Sequence, residues 1–438
     1  MSDRISRVLT VCLLFLLFSV PSVAQNGAAT AYSPYSIYGI GDIYSHGTAR
    51  DMAMAGVGIA GRDGRYLNIT NPAAISLRDS LSVMFDIGVM NDNKVFRQGD
   101  IRSANNTLNV NDFAISFRLM KNLSFLAGVS PYSSVAYNYA YSVNDPSLLS
   151  TAGFVEYTSA GLGGLYQLYG GVGTTFFRRL SIGAEGIVYM GTISKESKMS
   201  FSNTTFRTIY SGSSMELSTA AGKFGVQYEQ PVGDGYLTLG GTYKTSAKLK
   251  GETKDYKFAS IGSITDTLSY NTVNLSETRS VAIAGEIGVG ISFRKPEKWQ
   301  TEVNYTKSDW SDSGFDSTPG FSITGDKSFS TAASQSLSAG FEFVPNRNDI
   351  RYYFRQCAYR GGLYYRQAYY KYDGNTIDAY GITLGMTFPI VRGYNGLNLG
   401  LDFGRRGSRT GNMTMENYVK FAVGVTVHDQ WFRKQRFN

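Results

Sequence analysis

Residues 281–294 of the chain read V-A-I-A-G-E-I-G-V-G-I-S-F-R. Every second residue from Val281 to Phe293 is apolar or glycine, whereas the intervening positions are small or polar and include Glu286. Alternate side chains of a β-strand point to opposite faces of the sheet, and β-strands cross lipid only as part of a closed barrel. The stretch therefore predicts a membrane-crossing strand whose apolar face meets lipid and whose Glu286 faces a lumen.

The same alternation recurs along the chain. In residues 397–403, Leu and Phe alternate with Asn398, Gly400 and Asp402, which is the period-2 pattern of a strand with one apolar face. Fourteen such stretches are predicted. They span residues 80–90, 111–120, 122–131, 161–177, 180–194, 215–229, 236–249, 278–294, 299–307, 334–344, 357–370, 377–388, 395–406 and 416–427.

The connections between these stretches alternate in length. Some are very short, such as residues 121–122, and others are long and polar, such as residues 91–110 and 250–277. Outer-membrane barrels have short periplasmic turns and long extracellular loops. The pattern predicts an all-β fold, a 14-stranded antiparallel transmembrane β-barrel over residues 80–432, with both chain ends on the periplasmic side.

The composition favours this class. The 438 residues include 49 Gly and 31 Tyr but only 10 Pro, as in barrels with aromatic girdles; the pairs Tyr364-Tyr365 and Tyr369-Tyr370 are typical of such girdles. A formal charge of +8 without a Lys/Arg run gives no nucleic-acid footprint, so no nucleic-acid partner is expected.

The N-terminus has the pattern of a secretory signal peptide. Arg4 and Arg7 precede an apolar run over residues 8–20, and Ser22-Val23-Ala24 is a small-x-small cleavage site. Residues 1–24 are therefore predicted to be a signal peptide cleaved after Ala24. No later stretch has the roughly 20 apolar residues of a spanning helix, so the chain is expected to be exported and to cross a membrane only with strands.

Residues 25–79 precede the first strand and match no strand pattern. They are Gly-rich and irregular, and too numerous for an ordinary structureless connection. A barrel of this size also encloses more space than its own wall side chains fill. We expect residues 25–79 to form a plug inside the barrel; the alternative is a disordered periplasmic leader.

This N-terminal region resembles the hatch of FadL-type outer-membrane transporters. Those hatches carry a Gly/Ala-rich stretch followed by an Asn-Pro-Ala element shortly before the first strand. The matching motif here consists of Gly56, Gly58, Asn71, Pro72 and Ala73. Fourteen strands also suit that family, and the end of the chain from Glu416 to Phe432 is similar to C-termini in a divergent branch of it.

The resemblance implies a function and a location. It implies a protein of the outer membrane of a Gram-negative bacterium that contacts outer-membrane lipid and passively takes up hydrophobic small molecules, such as long-chain fatty acids. Barrels similar to this family also serve as subunits of secretion or assembly complexes, with other envelope proteins as partners. The basic tail at residues 433–438, expected in the periplasm, suits that alternative; a polar porin is disfavoured because a plug would obstruct it.

An enzyme is not expected. The chain has two histidines, His46 and His428, far apart in sequence, and a single cysteine, Cys357, after the predicted cleavage. These supply no catalytic constellation, cofactor motif or metal-ligand spacing, so neither a cofactor nor a metal is predicted.

Six charged residues fall on the polar parity of the predicted strands. We expect them to face the lumen, where they would either pair for structural reasons or form a polar constriction that selects solutes. They are Arg118, Glu185, Glu286, Glu302, Asp402 and Lys420.

Overall fold

The computed structural model describes most of the chain. The described residues are 32–45, 47–77, 82–120, 122–143, 146–278, 281–322, 328–390, 395–410 and 413–430. The predicted signal peptide at residues 1–24, the first residues of the predicted plug and the basic tail at 433–438 lie outside them. No helix among the described residues is long and apolar enough to cross a membrane.

The described residues form twenty strands. Those of the first half are β1 (Asp42–Ile43), β2 (Ser82–Gln98), β3 (Ile101–Met120), β4 (Leu123–Val143), β5 (Val155–Phe176), β6 (Leu180–Phe201), β7 (Thr208–Val232), β8 (Gly235–Lys244), β9 (Ala247–Lys248) and β10 (Lys250–Ile261). Those of the second half are β11 (Ile264–Asn274), β12 (Ala282–Ile283), β13 (Glu286–Lys295), β14 (Trp299–Asp309), β15 (Phe329–Thr331), β16 (Ala333–Phe343), β17 (Ala358–Tyr372), β18 (Asn375–Pro389), β19 (Gly396–Arg406) and β20 (Met415–Gln430).

Helical structure is confined to short pieces. They are the helices α1 (Ala49–Met52), α2 (Pro146–Ala152) and α3 (Leu275–Thr278), and 3-10 turns at Pro34–Ile37, Pro72–Leu77, Phe315–Ser317 and Tyr353–Arg355.

The strands close into a 14-stranded antiparallel barrel, as predicted. Most wall strands pair with the next strand in sequence, whereas β7 also pairs with β10, β8 with β13 and β14 with β16. β2 pairs with β20 from Ser82 opposite Gln430 to Arg97 opposite Met415 and closes the barrel. Two of the fourteen barrel strands are interrupted and therefore consist of three strands each. β8 to β10 lead away from the end with the short turns, and β11 to β13 lead back to it. Closure leaves the start of β2 and the end of β20 at the end of the barrel that carries the short turns, whereas Tyr32, the first described residue, contacts Lys94 and Asn138 at the opposite end.

The outward face of the wall is apolar, as a membrane requires. Large apolar side chains on successive strands are more than a third exposed, including Ile87, Leu168, Ile182, Phe224, Leu239, Val289, Val303, Phe341, Leu384, Phe403 and Val419. Exposure of so many large apolar side chains is rare in soluble proteins. These side chains form the outer surface of a barrel that lies in lipid.

The predicted long loops are mostly strand. Residues 91–110, expected to be a loop, continue β2 and β3 as a hairpin with its turn at Gly99 and Asp100, and β10 and β11 form a second extension that turns at Gly262 and Ser263. These extensions are polar on both faces, so the alternation that marks membrane-crossing strands is missing from them. The main-chain ladder forms regardless, because it depends on backbone hydrogen bonds.

The stretch 281–294 is bent, which corrects part of its prediction. Ile287, Val289 and Ile291 face outward as expected, whereas Val281 and Ile283 are only 1% exposed. There β12 leaves the wall and pairs with β9 in a separate two-stranded sheet. The pattern predicted a straight strand because burial in the lumen and exposure to lipid both select apolar side chains.

The residues before β2 lie against the inner face of the wall. The 3-10 turn at Pro72–Leu77 packs on β4 to β7, whereas α1 packs on β18, β19 and β20 at the other side of the barrel. β1 adds to β4, with Asp42 opposite Ser134 and Ile43 opposite Ser133. We refer to residues 32–77 as the N-terminal segment.

Candidate functional site in the barrel lumen

The Asn-Pro-Ala motif forms a buried turn at the centre of the N-terminal segment. The Asn71 side-chain Nδ2 donates to the Ile59 carbonyl at 2.6 Å, and its Oδ1 accepts from the Ala73 amide at 2.9 Å. Pro72 then begins the 3-10 turn, where a missing N–H has no cost. The motif therefore joins two distant parts of the segment, residues 58–60 and 71–73.

The two motif glycines have separate roles. Gly56 has a φ of +80°, a conformation that side chains other than glycine rarely adopt. The Gly58 carbonyl accepts from Asn68 Nδ2 at 2.7 Å, and a Cβ at Gly58 would meet the side chain of Thr70. Both glycines permit the tight folding of the stretch that precedes Asn71.

Glycines on the wall make room for the N-terminal segment. Among the described residues, eleven inward-facing glycines on ten strands have an atom of this segment within 3.0 Å of where a Cβ would be. They are Gly173, Gly183, Gly225, Gly240, Gly288, Gly290, Gly340, Gly362, Gly385, Gly400 and Gly424. Because only glycine allows main chain to approach so closely, the wall and the segment fit as one packed unit.

Buried ion pairs hold the N-terminal segment to β16 and β17. The Arg50 guanidinium lies 3.5 Å from the Glu342 carboxylate, which also binds Arg360 Nε at 2.7 Å. Arg50 stacks on the Tyr66 ring at 4.2 Å from its centroid. The cost of burying the Glu342 charge is offset because two guanidinium groups share its carboxylate. Displacing α1 would remove Arg50 from this group and leave buried charge unpaired.

Glu302 on β14 binds the N-terminal segment directly. Its Oε1 accepts from the Ala60 amide at 2.8 Å, while the Ala60 carbonyl accepts from Ser292 Oγ at 2.8 Å. Gln227 adds a bond from its side-chain nitrogen to the Ile59 carbonyl at 3.0 Å. Three wall strands thus satisfy the main chain of residues 59–60.

A second set of polar contacts lies at the end of the segment nearer the long hairpins. Asp42 accepts two hydrogen bonds from the Arg406 guanidinium, at 2.7 and 2.8 Å, and a third from the Tyr370 hydroxyl at 2.8 Å. Lys94 Nζ donates to the Tyr32 carbonyl at 3.0 Å. The sequence prediction placed Tyr369 and Tyr370 in an interfacial girdle, which is wrong: both are buried against this segment.

Aromatic residues close the lumen at the same end. Trp310, Phe315 and Phe321, from the connection after β14, are buried. Trp310 and Phe315 pack with Tyr369, and Phe321 stacks on Phe315. The Gly39 amide of the N-terminal segment donates to the Phe321 carbonyl at 2.8 Å. The described part of the connection after β14 therefore packs inside the barrel against the N-terminal segment and β17.

At the periplasmic end, the segment is fixed to the short turns. Arg65 binds Asp63 at 2.6 Å and Glu297 of the turn before β14 at 2.8 Å, and Arg62 donates to the Arg179 carbonyl at 2.7 Å. Burial opposes the charged form of Asp63, but the Arg65 guanidinium outweighs it and holds the pKa of that carboxyl well below its usual range.

A cavity of about 340 Å³ remains between these two ends. Its lining combines many charged residues with apolar and aromatic ones, the latter including Ile59, Ile187 and Trp310. The charged members are Asp42, Asp92, Lys94, Glu185, Lys223, Lys244, Glu286, Arg366, Arg406, Glu416 and Lys420.

Three residues of the predicted charged set line this cavity. Glu185 is buried beside Lys223 in the cross-strand register, and neither of its oxygens has a hydrogen-bond partner among the described residues. Glu286 lies 3.8 Å from Lys244 Nζ, and Lys420 Nζ lies 4.9 Å from the centroid of the Tyr418 ring.

The other three members lie apart from the cavity. Glu302 binds Ala60, as described. Asp402 accepts from the Tyr364 hydroxyl at 2.6 Å. Arg118 is at the periplasmic end of β3, where its Nε donates to the Met120 carbonyl at 3.2 Å.

Sequence reasoning missed the residues that hold the N-terminal segment. Glu342, Arg360 and Arg406 bind it or its partners, and all three are on the inward parity of their strands. That parity was the signal that could have found them. Their partners Arg50 and Asp42 lie in irregular sequence, where no periodicity marks them.

The described residues contain one cysteine, Cys357, which is buried. Within the described ranges, no three His, Cys, Asp or Glu side chains are arranged to hold a metal ion. Cys357 is buried before β17, and burial raises the pKa of its thiol to about 11, which disfavours the reactive thiolate.

Comparison with known proteins gives one family and a consistent fold. The BamG family model matches residues 5–438, and no curated protein matches the chain. The toluene transporter TbuX of Ralstonia pickettii is 15% identical, with a TM-score of 0.57 over 87% of this chain and 98% of that one.

Two further solved structures give the same fold. The toluene transporter TodX of Pseudomonas putida is 13% identical, with a TM-score of 0.58 over 90% of this chain and 100% of that one. A FadL homologue of Pseudomonas aeruginosa is 10% identical, with a TM-score of 0.53 over 88% and 98%. The resemblance to FadL-type channels is thus confirmed for the fold, which is that of an outer-membrane barrel of Gram-negative bacteria.

Proposed function

The chain belongs to the BamG family, and from the way its lumen is filled we propose that it is a non-enzymatic barrel subunit of an envelope protein complex. The observation that carries the proposal is the closure of the lumen. The N-terminal segment is held by buried ion pairs on β16, β17 and β19, and the outer mouth is covered by aromatic side chains. A barrel closed in this way serves as a rigid membrane scaffold, with its long polar hairpins free to bind partners.

Energetics support a scaffold over a channel. Opening the lumen would separate Asp42 from Arg406 and Arg50 from Glu342. Removing one partner of a buried ion pair costs about 3–5 kcal/mol. Two such pairs, together with the close glycine packing, would keep the open state rare unless a ligand compensated for them.

The test is the assembly state of the protein in its native membrane. The chain is tagged, expressed at its natural level and extracted in a mild detergent. Native mass spectrometry should then show a complex of defined mass that contains one or more other envelope proteins in stoichiometric amount. Extraction as a free monomer across several mild detergents would contradict the proposal. Digitonin and a polymer that retains lipid are suitable extraction agents.

Passive uptake of hydrophobic small molecules is the second candidate function. It is favoured by the fold shared with TbuX and TodX, described as toluene transporters, and by the cavity beside the N-terminal segment. Purified protein in lipid vesicles should then carry toluene or a long-chain fatty acid inward faster than empty vesicles do. Equal rates, and no lipid-like molecule in an organic extract of the protein, would count against uptake.

A further inference from the structure

Four charged side chains form a row across neighbouring strands on the inner face of the wall. Glu185 on β6 is the register partner of Lys223 on β7. Lys244 on β8 is the register partner of both Lys223 and Glu286, which lies on β13. All four line the cavity of about 340 Å³. Register partners point to the same face of a sheet, so the row presents one negative, two positive and one negative charge in succession. We refer to these four residues as the charged row.

The two halves of the charged row differ in how their charges are satisfied. Lys244 Nζ lies 3.8 Å from the Glu286 carboxylate and 5.5 Å from the centroid of the Tyr132 ring. In the other half, neither oxygen of Glu185 accepts a hydrogen bond from a described residue, Lys223 included. Glu185 is 5% exposed and Lys223 is 8% exposed. This half is therefore a buried carboxylate and a buried ammonium group that lie side by side without a bond between them.

This arrangement calls for a molecule that supplies both charges. Burying a charge is costly unless the charge is paired and hydrogen-bonded. Like charges directly opposite each other in a sheet, as Lys223 and Lys244 are, are also unfavourable. An anionic group beside Lys223 relieves its repulsion with Lys244, and a cationic group beside Glu185 pairs the remaining carboxylate.

Other buried polar groups around the cavity have no hydrogen-bond partner in the described part of the chain. The hydroxyls of Tyr132 and Tyr189, whose ring centroids lie 4.5 Å apart, are two of them. The Thr70 hydroxyl of the N-terminal segment is a third, and all three residues line the cavity. Because buried polar groups in proteins are almost always hydrogen-bonded, such a group of free donors and acceptors around one cavity indicates a site for a polar molecule.

The cavity has the size and the mixed lining that a small amphipathic molecule needs. Its volume of about 340 Å³ is at the small end of known ligand sites, which measure about 300–1,000 Å³. Ile187 lies two residues from Glu185 on the same face of β6, and Ile59 of the N-terminal segment also contributes to the lining. A ligand with its charged groups at the charged row can therefore place a short apolar body against these two side chains.

We infer that the cavity binds a small zwitterion of the α-amino-acid class, with its ammonium group on Glu185 and its carboxylate on Lys223. Both charged groups of an α-amino acid are attached to one carbon atom, which matches two opposite charges at the same level of adjacent strands. The hydroxyls of Tyr132 and Tyr189 can donate to the carboxylate as well. The site goes beyond the proposed role as a complex subunit, since it needs no partner protein.

Two measurements on the full chain test for the ligand. The barrel purified from native membranes is denatured, and amino acids in the extract are quantified by mass spectrometry. A second sample, dialysed to remove small molecules, is titrated with each proteinogenic α-amino acid by calorimetry. At least one amino acid should be present in the extract or bind to the dialysed barrel, with one molecule per chain.

Analogues that lack one charge test the zwitterion requirement. For alanine, propionate lacks the ammonium group and ethylamine lacks the carboxylate; the corresponding pair is used for whichever amino acid binds best. Each analogue should bind at least about tenfold more weakly than the amino acid, because a charge-assisted hydrogen bond is lost. Equal binding of either analogue would overturn the inference.

Substitutions place the ligand at the charged row. Glu185→Gln and Lys223→Met should each weaken binding at least about tenfold while keeping the heat-modifiable folded band. Asp402→Asn is the matched control, because Asp402 is a buried lumen carboxylate that does not line the cavity; this variant should bind as the parent does. In thermal unfolding, the amino acid should stabilise the parent and the control but not the double variant Glu185→Gln/Lys223→Met.

The remaining outcomes each decide against the site. Absence of amino acids from the extract together with no binding to the dialysed barrel overturns the inference, and so does binding that survives both single substitutions. If the substituted chains do not fold, the extract and the analogue series on the parent protein still decide. None of these results bears on whether the barrel belongs to a complex, so failure of the site is distinguishable from failure of the proposed function.

Discussion

The Arg406 guanidinium on β19 holds the Asp42 carboxylate of the N-terminal segment through two hydrogen bonds of 2.7 and 2.8 Å. The residues are 364 positions apart in sequence and both side chains are mostly buried. This contact joins the N-terminal segment to one of the last strands of the barrel. It is the polar contact most directly opposed to movement of the segment.

Asp42→Ala should release the outer end of the N-terminal segment. It leaves Arg406 buried without its main partner, which costs about 3 kcal/mol or more. Faster hydrogen exchange of residues 33–44 would report the release. The exposed pair Arg207–Asp266 offers a matched control, and Asp266→Ala should cost less than about 1 kcal/mol. Equal exchange in both variants would mean that Asp42 does not hold the segment.

Gly183→Ala should displace the Asn-Pro-Ala turn. The new Cβ would overlap the Pro72 carbonyl oxygen, and overpacking of this kind costs about 1–3 kcal/mol. Limited proteolysis should cut the segment near residues 71–77 sooner than in the parent protein. Gly186→Ala, on the outer face of the same strand with its nearest atom 4.0 Å away, should behave like the parent; similar proteolysis of both variants would refute the packing argument.

Asn71→Asp should destabilise the segment although it preserves the shape of the side chain. An aspartate accepts from Ala73 as before but cannot donate to the Ile59 carbonyl, so two oxygens would face each other in a buried site. The loss of this bond, together with the repulsion between the carboxylate and the Ile59 carbonyl, should cost about 2 kcal/mol. The temperature at which the folded gel band disappears measures the effect. Asn375→Asp at the exposed start of β18 is the control. A loss of similar size in both variants would contradict the role assigned to the Asn71 donor.

Acid should weaken the periplasmic end of the segment. The pKa of Asp63 is lowered in the folded protein from its ordinary value of 3.8. Its contribution to stability is therefore complete above that ordinary value and is lost as the pH falls through the lower folded value. Exchange of residues 62–67 should accelerate below about pH 4 in the parent protein. Asp63→Asn should show faster exchange at pH 7 and a flatter acid response; an unchanged acid response would show that another carboxyl is responsible.

The alternation of side chains was enough to predict the barrel. Residues 397–403 and 287–293 alternate between lipid and lumen, and the period of two follows from strand geometry whatever the neighbours are. The same pattern gave a wrong prediction for Val281 and Ile283, because lipid and a packed lumen both favour apolar side chains. The pattern also missed the hairpin extensions, because both of their faces are mostly polar.

The contents of the lumen could be predicted only in outline. The Asn71-Pro72-Ala73 motif and the length of the leading region indicated a folded N-terminal segment, yet the partners of that segment could not be predicted. Arg406 and Glu342 lie hundreds of residues from Asp42 and Arg50, and local sequence contains no information about which charge meets which.

The sequence by itself therefore determined that this chain makes a membrane barrel of fourteen strands, because strand periodicity and the avoidance of unpaired main chain in lipid are local requirements. The tertiary structure decided how the N-terminal segment packs against the inner face of the wall, that charged residues line the remaining cavity, and that β4 pairs with β1 beyond the end of its ladder with β3. Those features depend on closing the barrel around the N-terminal segment, which sets distant residues within a few ångströms of one another and turns one half-strand inward.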